Sequence, residues 1–281
     1  MLDALNSLTP GDSGVKQLAR DISYGDQPRQ QLDVWAVPRE GGETRPVLIF
    51  YYGGGWVKGR RQDYGFAAKA YAAKGFVVVV PDYRLVPQVV FPVFLQDAAE
   101  AVRWTRDNIA RYGGDPGRVT LAGHSAGAYA AVMLALDGSY LRALDVDPGI
   151  VRASAGLAGP YDFYPLTGRA VAAMSQAPDP MVTQPIRYAR ANAPPLWLAH
   201  GSEDKVVRPR NSINLSKRMA EVGGDATLRM YQGLDHEDLI MAVSKPFRGK
   251  GTVLDESAEF LKANSRPRRP STIPARTATG S

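Results

Sequence analysis

Short apolar runs alternate along this chain with longer amphipathic, alanine-rich stretches. Residues 47–52 and 76–81 are almost continuously hydrophobic, which suits strands buried on both faces of a parallel sheet. Residues 118–123, 151–158, 195–200 and 226–232 are further strand candidates. Upstream, residues 20–25 and 31–37 flank the turn-like Asp26-Gln27-Pro28 and read as an antiparallel hairpin. Helices are predicted over 63–74, 92–112, 125–136, 209–222 and 255–263. The first ends at Gly75, a suitable C′ glycine. The second carries Phe94, Leu95, Ala98, Ala101, Val102, Thr105 and Ile109 close to a 3.6-residue period and stops at Gly113-Gly114. A hairpin followed by βαβ units predicts an α/β fold: eight strands, mostly parallel, with helices on both faces.

The interval 159–194 breaks the rhythm. It holds six prolines together with Tyr161, Phe163, Tyr164, Met174, Met181 and Tyr188. A connection of this length is functional or disordered, and its aromatic content favours order. It reads as a short cap after the sixth strand, over the strand ends where such sheets place ligand sites.

At 281 residues with 44% hydrophobic side chains, the chain can bury a full core as one domain over 1–264. The absence of cysteine excludes disulfides, a thiolate nucleophile and cysteine zinc sites. The first twenty residues lack a basic start followed by an apolar segment, as expected of a cytoplasmic protein. No run approaches the roughly 18 apolar residues of a membrane span. Of the net charge of +6, Arg266, Arg268, Arg269 and Arg276 contribute +4. The remainder, about +2, gives no reason to expect a nucleic-acid partner, and residues 265–281 read as a disordered basic tail. Oligomeric state is not legible.

Residues 119–127 read Val-Thr-Leu-Ala-Gly-His-Ser-Ala-Gly, a strand entering G-x-S-x-G with an alanine-rich helix behind it. A nucleophilic serine needs such a tight strand-to-helix turn to project its hydroxyl, and flanking glycines permit the crowding. The pattern is common by chance; the strand before and the helix after single out Ser125 as the nucleophile. Of three histidines, His124 adjoins the serine and His200 sits inside a predicted strand. His236 follows the last strand in Gly233-Leu234-Asp235-His236, where a loop can reach the sheet top, and is the candidate base. Asp204, after the seventh strand, is the candidate acid, with Glu203 as competitor. The order Ser, acid, His is the one this arrangement uses.

Residues 51–56 read Tyr-Tyr-Gly-Gly-Gly-Trp. A phosphate-binding loop fails here, because no Lys-Ser or Lys-Thr follows at the required spacing. The segment resembles the His-Gly-Gly-Gly-Trp oxyanion motif of α/β-hydrolase carboxylesterases, those related to hormone-sensitive lipase and to bacterial feruloyl and acetylxylan esterases. Pro81-Asp82-Tyr83-Arg84-Leu85, Phe91-Pro92, Gly113-Gly114-Asp115-Pro116 and Gly159-Pro160-Tyr161-Asp162 extend the likeness from about residue 20 to residue 261. The resemblance implies oxyanion donors at the N–H groups of Gly54, Gly55 and Ala126, with Asp82, Tyr83 and Arg84 as scaffold. One position departs from the family: Tyr52 stands where a loop-bracing histidine is usual.

The resemblance implies a serine carboxylesterase acting through an acyl-enzyme on Ser125, with a small-molecule ester as partner and no metal or organic cofactor. Trp56, Tyr161, Phe163, Tyr164 and Met181 are the candidate pocket residues, which suits short-chain or aromatic acyl groups. The alternatives are an arylformamidase or other amidase on the same triad, a prolyl-peptidase activity without the usual propeller domain, and an inactive ligand-binding homologue, for which Tyr52 is the hint.

Overall fold

The valine-rich segments become the centre of the sheet. In the computed structural model, which describes residues 12–39 and 41–266, strands β3 (Arg45–Tyr51) and β4 (Val77–Pro81) are buried at every position. Around them lie β1 (Lys16–Ser23), β2 (Gln31–Ala36), β5 (Gly114–His124), β6 (Val151–Leu157), β7 (Leu196–Gly201) and β8 (Ala226–Tyr231). The sheet order is β1-β2-β4-β3-β5-β6-β7-β8. β1 pairs antiparallel with β2, and β2 antiparallel with β4; every later pair is parallel. The C-terminal ends of β3 to β8 therefore share one edge of the domain, where loops can converge.

Among the described residues the α-helices are α1 (Gly65–Ala73), α2 (Val93–Asn108), α3 (Ala126–Leu136), α4 (Ser139–Arg142), α5 (Arg169–Met174), α6 (Arg210–Glu221), α7 (His236–Met241) and α8 (Val253–Asn264). Helix α1 packs on α8 and α2 on α3, so the sheet is covered on both faces. Helix α3 reads AGAYAAVMLAL and is buried all round, which is why no polar stripe interrupts it. None of the described helices is long and apolar enough to cross a membrane.

Several elements differ from the sequence reading; β5, for one, starts at Gly114 rather than at the predicted 118. β1 begins at Lys16 and ends at Ser23, four residues ahead at its start of the predicted 20–25. As an edge strand whose side chains are mostly exposed or half-buried, it carries no apolar run to mark it. The cap contains α5 and two 3₁₀ turns, Pro180–Thr183 and Pro185–Tyr188, each opened by a proline at its first position. Ser265, assigned to the tail, belongs to the domain: it is fully buried, and its hydroxyl accepts from Arg118 at 3.1 Å and donates to the Lys262 carbonyl at 2.9 Å. The rest of the tail reading, from residue 267, lies outside the described residues, as do residues 1–11 on which most of the N-terminal reading falls.

Candidate active site

Ser125 lies between the end of β5 and the start of α3 with φ 55° and ψ −121°, a conformation L residues rarely adopt. The turn is held from both sides. The Ser125 N–H donates to the Leu157 carbonyl at 2.9 Å, and its carbonyl accepts from the Tyr129 N–H at 3.0 Å. A methyl group built on Gly127 would lie 2.0 Å from the Tyr51 carbonyl oxygen, and one on Gly123 2.4 Å from the Gly127 carbonyl. Both glycines of the motif are therefore required by backbone contact. The same contact seats the start of α3 directly on the end of β3.

Asp204 and His236 arrive from the loops after β7 and β8. The Asp204 carboxylate is buried; its Oδ2 lies 2.7 Å from His236 Nδ1, and its Oδ1 accepts from the N–H groups of Val206 and Val207, both at 2.9 Å. His200 Nε2 is 3.3 Å from the same Oδ2 and 2.8 Å from the Val207 carbonyl, so it faces two oxygens and carries its proton there. Burial alone would raise the Asp204 carboxyl, but hydrogen bonds from His200, His236 and the Val207 N–H hold it well below the usual carboxylate range. Glu203, the competitor, is exposed, and among the described residues only its backbone N–H is engaged, by the Leu234 carbonyl at 3.0 Å.

His236 sits against the elbow. Its ring centroid is 4.8 Å from that of His124, whose Nε2 donates to the His236 carbonyl at 3.0 Å. His124 Nδ1 then accepts from the Tyr64 hydroxyl at 2.9 Å. Burial, followed by the neighbouring His236, pushes the His124 imidazole down to about 3, so it stays neutral and serves as a strut between the elbow and the segment that carries His236. Nδ1 of His236 faces a carboxylate, which leaves Nε2 to accept a proton.

The glycine loop follows β3. Gly54 has φ 142° and Gly55 φ 63°, and a methyl group on Gly54 would lie 1.9 Å from the Lys58 carbonyl oxygen. One built on Gly53 would lie 3.0 Å from His124 Nδ1, so the loop runs beside the elbow that Ala126 opens. Behind the loop, Tyr52 stacks on Tyr83 at 4.6 Å and 16° between planes, and its hydroxyl accepts from Arg29 Nη2 at 2.8 Å. The same nitrogen donates to the Gly59 carbonyl at 2.7 Å, and Arg29 Nε to the Tyr83 carbonyl at 3.0 Å. Tyr52 thus braces the loop through an arginine of the β1–β2 turn. Beyond Gly59 the chain is anchored by Arg61, which pairs with Asp82, Asp33 and Asp21. Arg84 makes a two-pronged pair with Asp97. Asp82, Tyr83 and Arg84 are all engaged in such scaffold contacts.

Removing the Tyr52 hydroxyl tests that brace. Tyr52→Phe keeps the stack but takes one acceptor from a half-buried guanidinium. It is expected to cost about 1–2 kcal/mol, read as a fall of a few degrees in Tm for a chain of this size. An unchanged melting curve would show that Arg29 and the stack hold the loop without the hydroxyl.

The five pocket candidates separate. Trp56 is buried, lies 6.2 Å from Phe163 at 29° between planes, and meets Tyr129 edge-on at 5.4 Å. Phe94 completes that cluster at 6.2 Å from Trp56. Tyr161 is fully buried with its hydroxyl against Gly156 and Gly159, so it fills the domain beneath the cap. Tyr164 and Met181 lie on the surface, 51% and 39% exposed. The sequence reading missed Arg29, Phe94, Tyr129 and Asn211, whose side-chain oxygen accepts from the N–H groups of Tyr161 and Asp162, both at 2.8 Å. Phe94 was legible as a core position of its helix. Arg29 and Asn211 act across the fold and have no local signal.

The profile of the BD-FAE family matches residues 32–219. The isoprenylcysteine alpha-carbonyl methylesterase ICME of Arabidopsis thaliana is 29% identical over 271 residues, 88% of this chain and 63% of that protein. Esterase LipC of Mycobacterium tuberculosis is 33% identical over 222 residues, 72% of this chain and 55% of that protein. The chain thus spans less than two thirds of the length of these curated relatives. Among solved structures, esterase B from Lactobacillus rhamnosis inhibited by a tributyrin phosphonate superposes with a TM-score of 0.80 at 20% identity, covering 94% of this chain and 90% of that one. A truncated carbohydrate esterase from gut microbiota gives 0.76 at 20% identity, covering 92% and 99%. At such identity these structures speak to the fold alone.

Proposed function

The chain belongs to the BD-FAE family, and on that premise we propose that it is a serine carboxylesterase with Ser125 as nucleophile, His236 as general base and Asp204 as the acid that orients the base. The observation that carries this reading is the buried Asp204–His236 hydrogen bond of 2.7 Å, set against the strained elbow that holds Ser125. The relatives named as a methylesterase and as an esterase support it.

In this reading His236 Nε2 takes the Ser125 hydroxyl proton as Oγ attacks the ester carbonyl. Asp204 steadies the imidazolium without taking the proton. The carbonyl oxygen gains negative charge and is met by the N–H groups of Gly54, Gly55 and Ala126. His236 then protonates the departing alkoxide, leaving an acyl group on Ser125. Water, deprotonated by His236, attacks that acyl group; the C–Oγ bond breaks, Ser125 regains its proton and the acid leaves. The wall formed by Trp56 and Phe163 favours short-chain or aromatic acyl groups. Aryl acetate and aryl butyrate are expected to turn over well ahead of an N-formyl anilide. The reverse order would make the chain an arylformamidase on the same machinery.

A further inference from the structure

Arg169 opens helix α5 of the cap, and its side chain lies across the glycine loop. A methyl group built on Gly55 would be 2.7 Å from Arg169 Cδ and 3.4 Å from its Nη1. The aliphatic stem therefore covers the backbone of a residue read above as an oxyanion donor, and the guanidinium ends beside it.

The guanidinium is exposed, and among the described residues it has neither a hydrogen-bonding nor an ion-pairing partner. Lys58, on the same loop, is likewise exposed and forms no salt bridge among the described residues. Acids of the cap and of the turn after the loop have other partners: Asp63 has Arg60 at 2.7 Å, Asp162 has Asn214 at 2.6 Å and Asp179 has Arg187 at 2.5 Å. This contrasts with the other arginines around the site, since Arg29, Arg61 and Arg84 are each tied to carboxylates, hydroxyls or carbonyls of the protein. A planar cation with free donors, its stem lying over Gly55 of the glycine loop, matches a carboxylate in both charge and geometry.

We propose that Arg169 is a specificity-determining residue that selects esters carrying a second, anionic group, a carboxylate a few bonds from the carbonyl that Ser125 attacks. This rests on the esterase reading above. The charge would sit on the acyl chain or on the alcohol side, and both placements present the same chemistry to the guanidinium.

The test compares matched esters on the full chain. A mono-aryl adipate is set against the aryl hexanoate, and a ring-carboxylated aryl butyrate against the plain aryl butyrate. The expected result is a kcat/KM ratio of anionic to neutral ester that falls on the order of fivefold in Arg169→Gln and further in Arg169→Glu. The change should reside mainly in KM, be restored in part by Arg169→Lys, which returns the charge without the planar fork, and be matched by a decline of the wild-type ratio with added salt. Either pair responding this way supports the proposal and tells which side of the ester bears the charge. Ratios that stay unchanged in an active Arg169→Glu enzyme for both pairs overturn it while leaving the esterase reading intact. A wild-type chain that hydrolyses none of the four esters overturns both.

Discussion

Replacing Ser125 with alanine is expected to reduce ester turnover by roughly 10⁴–10⁶-fold, as losing the nucleophile of a triad does, while the protein melts where the wild type does. The two halves of this expectation come from different features. Turnover is lost because alanine offers no oxygen to attack the carbonyl. Stability is kept because the elbow is held by backbone bonds to Leu157 and Tyr129 and by the close approach of Gly127 to Tyr51, none of which uses the serine side chain. Alanine meets the same positive φ of 55° that serine already tolerates. Measured kcat beside a thermal melt separates the two. A variant that retains more than a few per cent of turnover would move the nucleophile elsewhere.

Asp204→Asn should come next in size, with a fall in kcat of about 10⁴-fold, because an amide can donate to His236 Nδ1 and so leave the proton on the wrong nitrogen. Glu203→Gln should change turnover less than about twofold, since that side chain is exposed and its neighbour's carboxylate does the bonding. The opposite ranking would transfer the acid role to Glu203. A pH signature accompanies the substitution. The Asp204 carboxyl is held below its ordinary range in the fold, so its ionised form contributes stability that is fully present above about pH 4–5 and is lost as the pH falls towards the folded value. The difference in Tm between wild type and Asp204→Asn should therefore shrink between about pH 5 and pH 3. A difference that stays constant across that window would mean that the carboxylate's bonds to His200, His236 and Val207 do not bear on stability.

Much of this architecture is written locally. Fully buried parallel strands such as β3 and β4 must be apolar throughout, so they stand out from any window of the chain. The elbow is legible because a tight turn between strand and helix admits few residues, and His236 stands out as the proposed base because only three histidines exist and the other two sit in or beside strands. What was hidden depends on contacts between distant positions. The start of β1 lacks an apolar run because this edge strand is exposed or half-buried at every position. Arg29 lies 23 residues from the tyrosine it braces, and nothing around it marks that role. In the cap, Tyr161, Phe163 and Tyr164 stand almost together, yet one is in the core, one against Trp56 and one at the surface. An irregular segment has no period from which to assign faces, so its aromatic content does not say which rings line a pocket. Tyr52 was a departure from the family pattern with unknown consequence, and the stack on Tyr83 together with the Arg29 bond supplies a brace in place of the usual histidine.

The most direct test of the central reading is covalent labelling of the full chain with a fluorophosphonate, followed by mass spectrometry of the digest. The expected result is one adduct per chain, on the peptide that contains Ser125, absent in Ser125→Ala and formed much more slowly in Asp204→Asn. A folded chain that takes no adduct, or takes it at another residue, would contradict the assignment of Ser125 as an activated nucleophile.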